Sequence, residues 1–195
     1  TLLAHGTDEQ KQRWLPSILT ADEIWCQLFS EPDAGSDLAS LTTRAVRIDD
    51  GWLLSGQKVW TSYAQFARWG ICLARTDPDV PKHKGISYLL VPMRQPGIEI
   101  RPIRQITGTS EFSEVFYDDA RTTKDLVVGE VNGGWKVAMG TLAFERGALT
   151  LGQQLGFVSE FHEIVGAARE RGIDGDPVVR QRLAQTWIEL EIMRY

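Results

Sequence analysis

Two periodicities divide the chain. Between residues 24 and 128 the apolar positions fall in short runs, at 25–29, 44–48, 52–60, 69–75, 86–91, 98–103 and 113–117. Turn signals separate them: Asp49-Asp50-Gly51, Asp77-Pro78, Lys84-Gly85 and Gln95-Pro96-Gly97. Many short strands at such spacing predict an antiparallel barrel or sandwich. Residues 78–84 read as an exposed loop. After Asn132-Gly133 the period becomes helical. It predicts one helix from about Gly134 into the 150s and a second helical stretch ending near Arg171-Gly172. A third starts at Asp176-Pro177, with Asp176 as N-cap and Pro177 in the first turn. In it Val179, Leu183, Trp187 and Leu190 form an apolar stripe. Ahead of the strands, Thr7-Asp8-Glu9-Gln10 has the form of a capping box, opening a short helix that ends at Pro16. Glu9 and Arg13 read as an i,i+4 pair on its solvated face. Strands followed by long helices give an α+β fold class.

At 195 residues the chain can bury a real core. Acidic residues outnumber basic ones, 26 to 21, for a net charge of −5. That disfavours binding nucleic acid by phosphate neutralisation. No apolar run approaches the roughly 18 residues of a membrane span. Cys26 and Cys72 sit in apolar runs without metal-ligand spacing and read as packed, reduced thiols; no metal site is expected. Trp25, Trp52 and Trp69 read as core, and His5, His83 and His162 are scattered without an assigned role. The chain opens without Met and stops inside a helical pattern, so it reads as a fragment.

One stretch carries more information than its length suggests: Gln27-Leu28-Phe29-Ser30-Glu31-Pro32-Asp33-Ala34-Gly35-Ser36-Asp37. It starts extended and breaks into a turn. Pro32 fixes its own φ and pushes Glu31 towards an extended conformation. Gly35 permits a positive φ or a close approach of backbone to a ligand. Ser30 and Ser36 bracket the turn with hydroxyls that both donate and accept. Such a turn gathers unpaired N–H groups and suits an acceptor-rich ligand; on its own it would read as a surface turn. About two dozen residues later comes Ser55-Gly56-Gln57-Lys58-Val59-Trp60-Thr61-Ser62. Two further stretches follow, Thr107-Gly108-Thr109-Ser110-Glu111-Phe112 with Val115-Phe116-Tyr117-Asp118-Asp119, and Gly129-Glu130-Val131-Asn132-Gly133-Gly134-Trp135.

In that order, these four stretches resemble the acyl-CoA dehydrogenase family. The resemblance implies three regions: the end of an N-terminal helical domain over 1–23, a middle β-domain over 24–130, and the start of a C-terminal helical domain over 131–195. It implies FAD as cofactor and an acyl-CoA thioester as substrate. An α-proton would be removed by a carboxylate and a β-hydride passed to flavin N5, leaving a trans-2-enoyl-CoA. Electron-transfer flavoprotein is the implied acceptor and a homodimer or homotetramer the implied assembly. The implied location is the bacterial cytoplasm, with the mitochondrial matrix as the other option.

Carried over position by position, Gln27, Leu28, Phe29 and Ser30 line the flavin edge, with Ser30 donating towards it. Gly35 and Ser36 meet the pyrophosphate side, and Ser36 also the pantetheine arm of the substrate. Trp60 packs beside the flavin ring and Ser62 hydrogen-bonds near N5; read without the family, Trp60 is a core aromatic and Ser62 a strand-end hydroxyl. Glu145 is the implied base. It precedes Arg146 on the first long helix, and with Trp135, Ala138, Leu142 and Leu149 it steps by three and four along one apolar face. That placement predicts partial desolvation. Arg146, about 100° away, is expected to contact substrate or hold the helix. A structural Glu145, with the base on a carboxylate beyond residue 195, is the other option. Departures from the family pattern are Asp33 where Gly is usual, Thr122-Thr123 in what reads as a loop, and Arg169-Glu170-Arg171-Gly172, which lacks a Phe that in many members meets FAD from the adjoining subunit. Two other functions stay open on the sequence: an acyl-CoA oxidase, and a non-catalytic β-barrel binding module with a helical tail.

Overall fold

A computed structural model of the chain describes residues 1–194, with side chains described for all of these but 147–151. Its fold is α+β and divides into two units, 1–140 and 141–195.

The first unit opens with a short helix α1 (Leu2–His5) and α2 (Asp8–Leu19). Thr7 and Gln10 close the capping box as expected. Pro16, however, does not end α2; the helix carries it and runs to Leu19. The hydroxyl of Ser17 donates to Trp14 O and that of Thr20 to Pro16 O, which supports the last turn. Trp14 is buried against Trp25 and Trp69, with ring centroids 6.0 and 5.3 Å away, so tertiary packing holds the turn that the proline weakens. Arg13 does not pair with Glu9. Its guanidinium reaches the buried Glu23 carboxylate, which also takes Ser17, Arg68 and the Trp69 indole.

Seven strands follow: β1 (Trp25–Leu28), β2 (Arg44–Ile48), β3 (Gly51–Ser62), β4 (Trp69–Arg75), β5 (Ile86–Pro92), β6 (Ile98–Ile103) and β7 (Phe112–Thr123). They form one sheet in the order β1-β4-β2-β3-β7-β6, with β5 on β4. Most pairs are antiparallel, as the short turns predict. The exceptions are β1 with β4, and β2 with β4 at Arg44 and Arg75, which are parallel. Between β1 and β4 the chain spends a turn and the β2–β3 hairpin, the long connection that a parallel pair needs. β7 runs on to Thr123, so Thr122-Thr123 is strand rather than loop; the buried Thr122 hydroxyl donates to Leu90 O at 2.6 Å. The main buried cluster includes Leu28, Leu54, Cys72, Leu89, Val91, Val115 and Tyr117, and β5 is buried on both faces, with Tyr88 and Leu90 also wholly buried. Trp52 is buried, whereas Trp25 and Trp69 are half-buried and stacked on each other.

Helix α3 (Gly134–Glu170) is continuous, so the two helical stretches read from the sequence are one. It contains several glycines but no proline, and glycine weakens a helix without removing a hydrogen bond. Gly134 starts it where a Cβ would come within 2.5 Å of the Ser87–Tyr88 backbone, so only glycine fits there. The second unit holds the rest of α3 and α4 (Pro177–Ile192). Asp176 caps α4 by accepting from Val178 N and Val179 N, with Pro177 in the first turn, as read from the sequence. On the expected stripe Leu190 is buried, Val179 and Leu183 are half-buried, and Trp187 packs on Phe161 at 5.3 Å.

Candidate functional site

The two signature stretches meet in space, and a buried ion pair joins them. The Lys58 ammonium is wholly buried and donates to Phe29 O at 3.0 Å and to Glu31 Oε1 at 2.8 Å. The same carboxylate accepts from Thr43 N at 2.9 Å, Thr42 N at 2.6 Å and the Thr42 hydroxyl at 2.8 Å. Burial alone would raise the Glu31 pKa. The Lys58 charge and the hydrogen bonds outweigh it and hold the carboxyl down at about 2. Val59 N donates to Ser30 O at 2.9 Å alongside. Glu31 and Lys58 are thus the residues that bring the turn against β3. Both stand inside the signature stretches, where the sequence alone gives them no role. The available signal was a lysine inside an apolar strand, which is rarely buried unless paired.

The turn is closed by reciprocal bonds between Glu31 and Ala34, at 3.0 and 3.1 Å. Neither Asp33 nor Gly35 takes a positive φ, so the turn does not require glycine at position 33. Gly35 instead faces open space: a Cβ there would meet nothing within 4 Å. Gly35 and Ser36 are exposed, and Ser30 and Gln27 are half-buried. Leu28 and Phe29 turn their side chains inward, Phe29 edge-on to Tyr88 at 5.9 Å, so only their backbone is available to a ligand.

On β3 the register against β7 slips between Lys58 and Thr61. The bulge puts Trp60 at φ 59°, a left-handed conformation that an aromatic residue rarely adopts. The indole is turned out of the sheet and is 61% exposed, against the edge of Phe112 at 6.3 Å. Trp60 therefore lies outside the buried core of this chain. Ser62 is exposed at the strand end, paired in register with Phe112. Between them the buried Thr61 hydroxyl has no hydrogen-bond partner among the described residues. An outward indole, an exposed hydroxyl and, on the segment tied to theirs through Ser30 and Val59, a turn with open space at its glycine are groups suited to a flat, acceptor-rich ligand.

Glu145 and Arg146 belong to the second unit and are both exposed. Ala138 is buried and Trp135 and Leu142 are half-buried; the Leu149 side chain lies outside the described residues. The expected desolvation of Glu145 is not met by this chain's own atoms. Apolar side chains surround α3 rather than forming one stripe: Phe144, Leu155, Phe157 and Ile164 are exposed as well. Cys26 and Cys72 are buried and free, and burial pushes their thiols up to about 12 and about 11. Among the described residues no cluster of three potential metal ligands occurs, and no helix is long and apolar enough to cross a membrane.

Residues 26–120 match the family model for the acyl-CoA dehydrogenase middle domain, and residues 132–195 the model for the C-terminal domain. Two similar curated proteins carry the name acyl-CoA dehydrogenase IpdE1. The one from Mycobacterium tuberculosis is 54% identical over the whole of this chain and half of its own length. The one from Mycolicibacterium smegmatis is 52% identical over the whole of this chain and 52% of its own length. The chain thus spans about half the length of the curated relatives it matches. A solved structure described as the Tcur3481-Tcur3483 steroid ACAD superposes with a TM-score of 0.83 at 41% identity, over 99% of this chain and 50% of that one.

Proposed function

The chain belongs to the acyl-CoA dehydrogenase family, and on that footing we propose that the intact protein dehydrogenates an acyl-CoA thioester between Cα and Cβ to the trans-2-enoyl-CoA, using FAD. The observation that carries this reading is the meeting of the 30–36 turn with the 58–62 segment through Glu31 and Lys58. It leaves the Ser30 region, the open Gly35–Ser36 turn, the outward Trp60 and the exposed Ser62 on neighbouring backbone. Those groups fit a flavin nucleotide: donors for its ring carbonyls and phosphates, an indole for its ring, and space for close backbone approach.

FAD, when bound, supplies the hydride acceptor. Ser30 and Ser62 orient it by donating hydrogen bonds, and Gly35 and Ser36 meet its phosphates. The backbone of Gln27, Leu28 and Phe29 borders it, and Trp60 keeps water from it. Glu145 takes the α-proton, and Ser36 and Arg146 hold the thioester. Three regions divide this work: 1–23 closes an N-terminal helical domain, 24–130 forms the β-domain, and 131–195 begins the C-terminal helices. The steroid named in the similar structure supports a bulky, steroid-derived acyl group as the substrate class. Electron-transfer flavoprotein is the acceptor in this reading, the assembly is a homodimer or homotetramer, and the location is the bacterial cytoplasm. The experiment is Glu145→Gln in the intact protein. Loss of several orders of magnitude in flavin reduction with FAD retained supports the assignment; near-normal reduction hands proton abstraction to another carboxylate.

A further inference from the structure

Residues 31–43 leave β1, form the Gly35–Ser36 turn and return as β2. Much of this segment is buried: Leu38, Ala39, Leu41 and Thr43 are all 8% exposed or less. Its buried backbone groups therefore need partners. Glu31 takes the donors, the N–H groups of Thr42 and Thr43. Arg75, the last residue of β4, takes the acceptors. Its Nη2 donates to Ala39 O at 2.6 Å and to Leu41 O at 3.2 Å. Its Nη1 donates to Lys82 O at 2.6 Å, and its backbone N to Thr43 O at 2.7 Å. Lys82 then reaches back over the turn. Its ammonium lies 2.7 Å from both Asp37 carboxylate oxygens and 3.2 Å from the Ser40 hydroxyl. All three side-chain bonds of Arg75 thus go to carbonyls of two loops, 35–43 and 76–85. A planar fork of donors can span them at once, whereas a lysine is a single point. Gly35 and Ser36, the exposed tip of the braced segment, contribute none of these bonds and stay open to a ligand.

We propose that Arg75 is a positioning residue: through the carbonyls of Ala39, Leu41 and Lys82 it holds the Gly35–Ser36 turn in the shape that receives the cofactor's phosphates. The identity of that ligand rests on the flavin reading above; the bracing of the turn does not. Glu31 and Arg75 divide the work, one buried anion collecting the amides of the segment and one half-buried cation its carbonyls.

The test uses Arg75→Lys in the intact protein, with two readouts. Hydrogen exchange of the flavin-free protein should accelerate about tenfold or more over residues 36–41, as loss of a charge-assisted bond implies, with residues 52–58 of β3 unchanged. FAD titration should give a dissociation constant raised about tenfold or more. Unchanged exchange at 36–41 overturns the proposal. So does exchange that rises equally in β3, which would mean a general loss of stability. Lys82→Met, which keeps the Lys82 carbonyl, should loosen only residues 37–40 and 78–84; loosening equal to that of Arg75→Lys would move the role to Lys82 and overturn it. If wild type binds no FAD while Arg75→Lys still loosens 36–41, the positioning role stands and the flavin reading falls.

Discussion

Lys58→Met tests the ion pair on which the site is built. The substitution keeps the length and bulk of the side chain and removes its charge. Glu31 is then buried without a counterion, although the hydrogen bonds from Thr42 and Thr43 remain. In wild type the Lys58 charge and the Thr42 and Thr43 hydrogen bonds together hold the folded pKa of Glu31 at about 2 against an ordinary 4.5, worth about 3 kcal/mol of stability in all at about 1.36 kcal/mol per tenfold change in proton affinity. Breaking one partner of a buried pair costs about 3–5 kcal/mol in general. The depressed pKa sets the direction. The contribution is complete above pH 4.5 and is lost as pH falls through 4.5 towards about 2. Urea unfolding from neutral pH down to pH 3 should therefore show wild type about 3–5 kcal/mol above the variant at neutral pH. The gap should narrow as the pH falls towards 3, because folded Glu31 protonates first in the variant and in wild type only towards about 2. Glu23, Asp37, Glu9 and Glu99 are also lowered, but they titrate in both proteins and cancel in the difference. A gap that stays constant with pH would rule out the ion pair as its source and assign the loss to packing rather than charge.

Further outcomes follow from the same geometry. Ser62→Ala should keep the fold and slow flavin reduction about a hundredfold in stopped flow, the usual loss of one preorganised donor; an unchanged rate removes Ser62 from the site. Trp60→Gly relieves a left-handed aromatic residue, so its thermal midpoint should not fall, while FAD fluorescence in the complex changes with loss of the indole. Cys26 and Cys72 should be inert to an aromatic disulfide reagent at pH 8 until the protein is unfolded, because both are buried and their thiols lie at about 12 and about 11.

Strand positions were legible because alternation and turn residues mark them: 44–48, 69–75 and 98–103 coincide with β2, β4 and β6. Pairing direction was not, since no local feature of Trp25–Leu28 says that its partner lies at Trp69. Pro16 misled because the packing of Trp14 outweighs one missing hydrogen bond. The quoted stretches contained Glu31 and Lys58, yet only the fold reveals that a turn glutamate and a strand lysine share a buried pair. Arg75 was out of reach, because its partners are backbone carbonyls that no sequence pattern marks. The exposure of Trp60 depends on a one-residue bulge, which shifts a side chain from one face to the other without any change in composition.

On the proposed reading, the intact protein passes electrons from an acyl-CoA to a bound flavin held by the 30–36 turn and the 58–62 segment. Anaerobic titration of the flavin-loaded intact protein with a panel of acyl-CoA thioesters, steroid-derived and straight-chain, tests it most directly. The expected result is bleaching of the flavin's visible absorbance with formation of one enoyl-CoA per flavin, strongest for the steroid-derived thioester. A flavin that stays oxidised with every thioester, or a protein that retains no flavin, would contradict it.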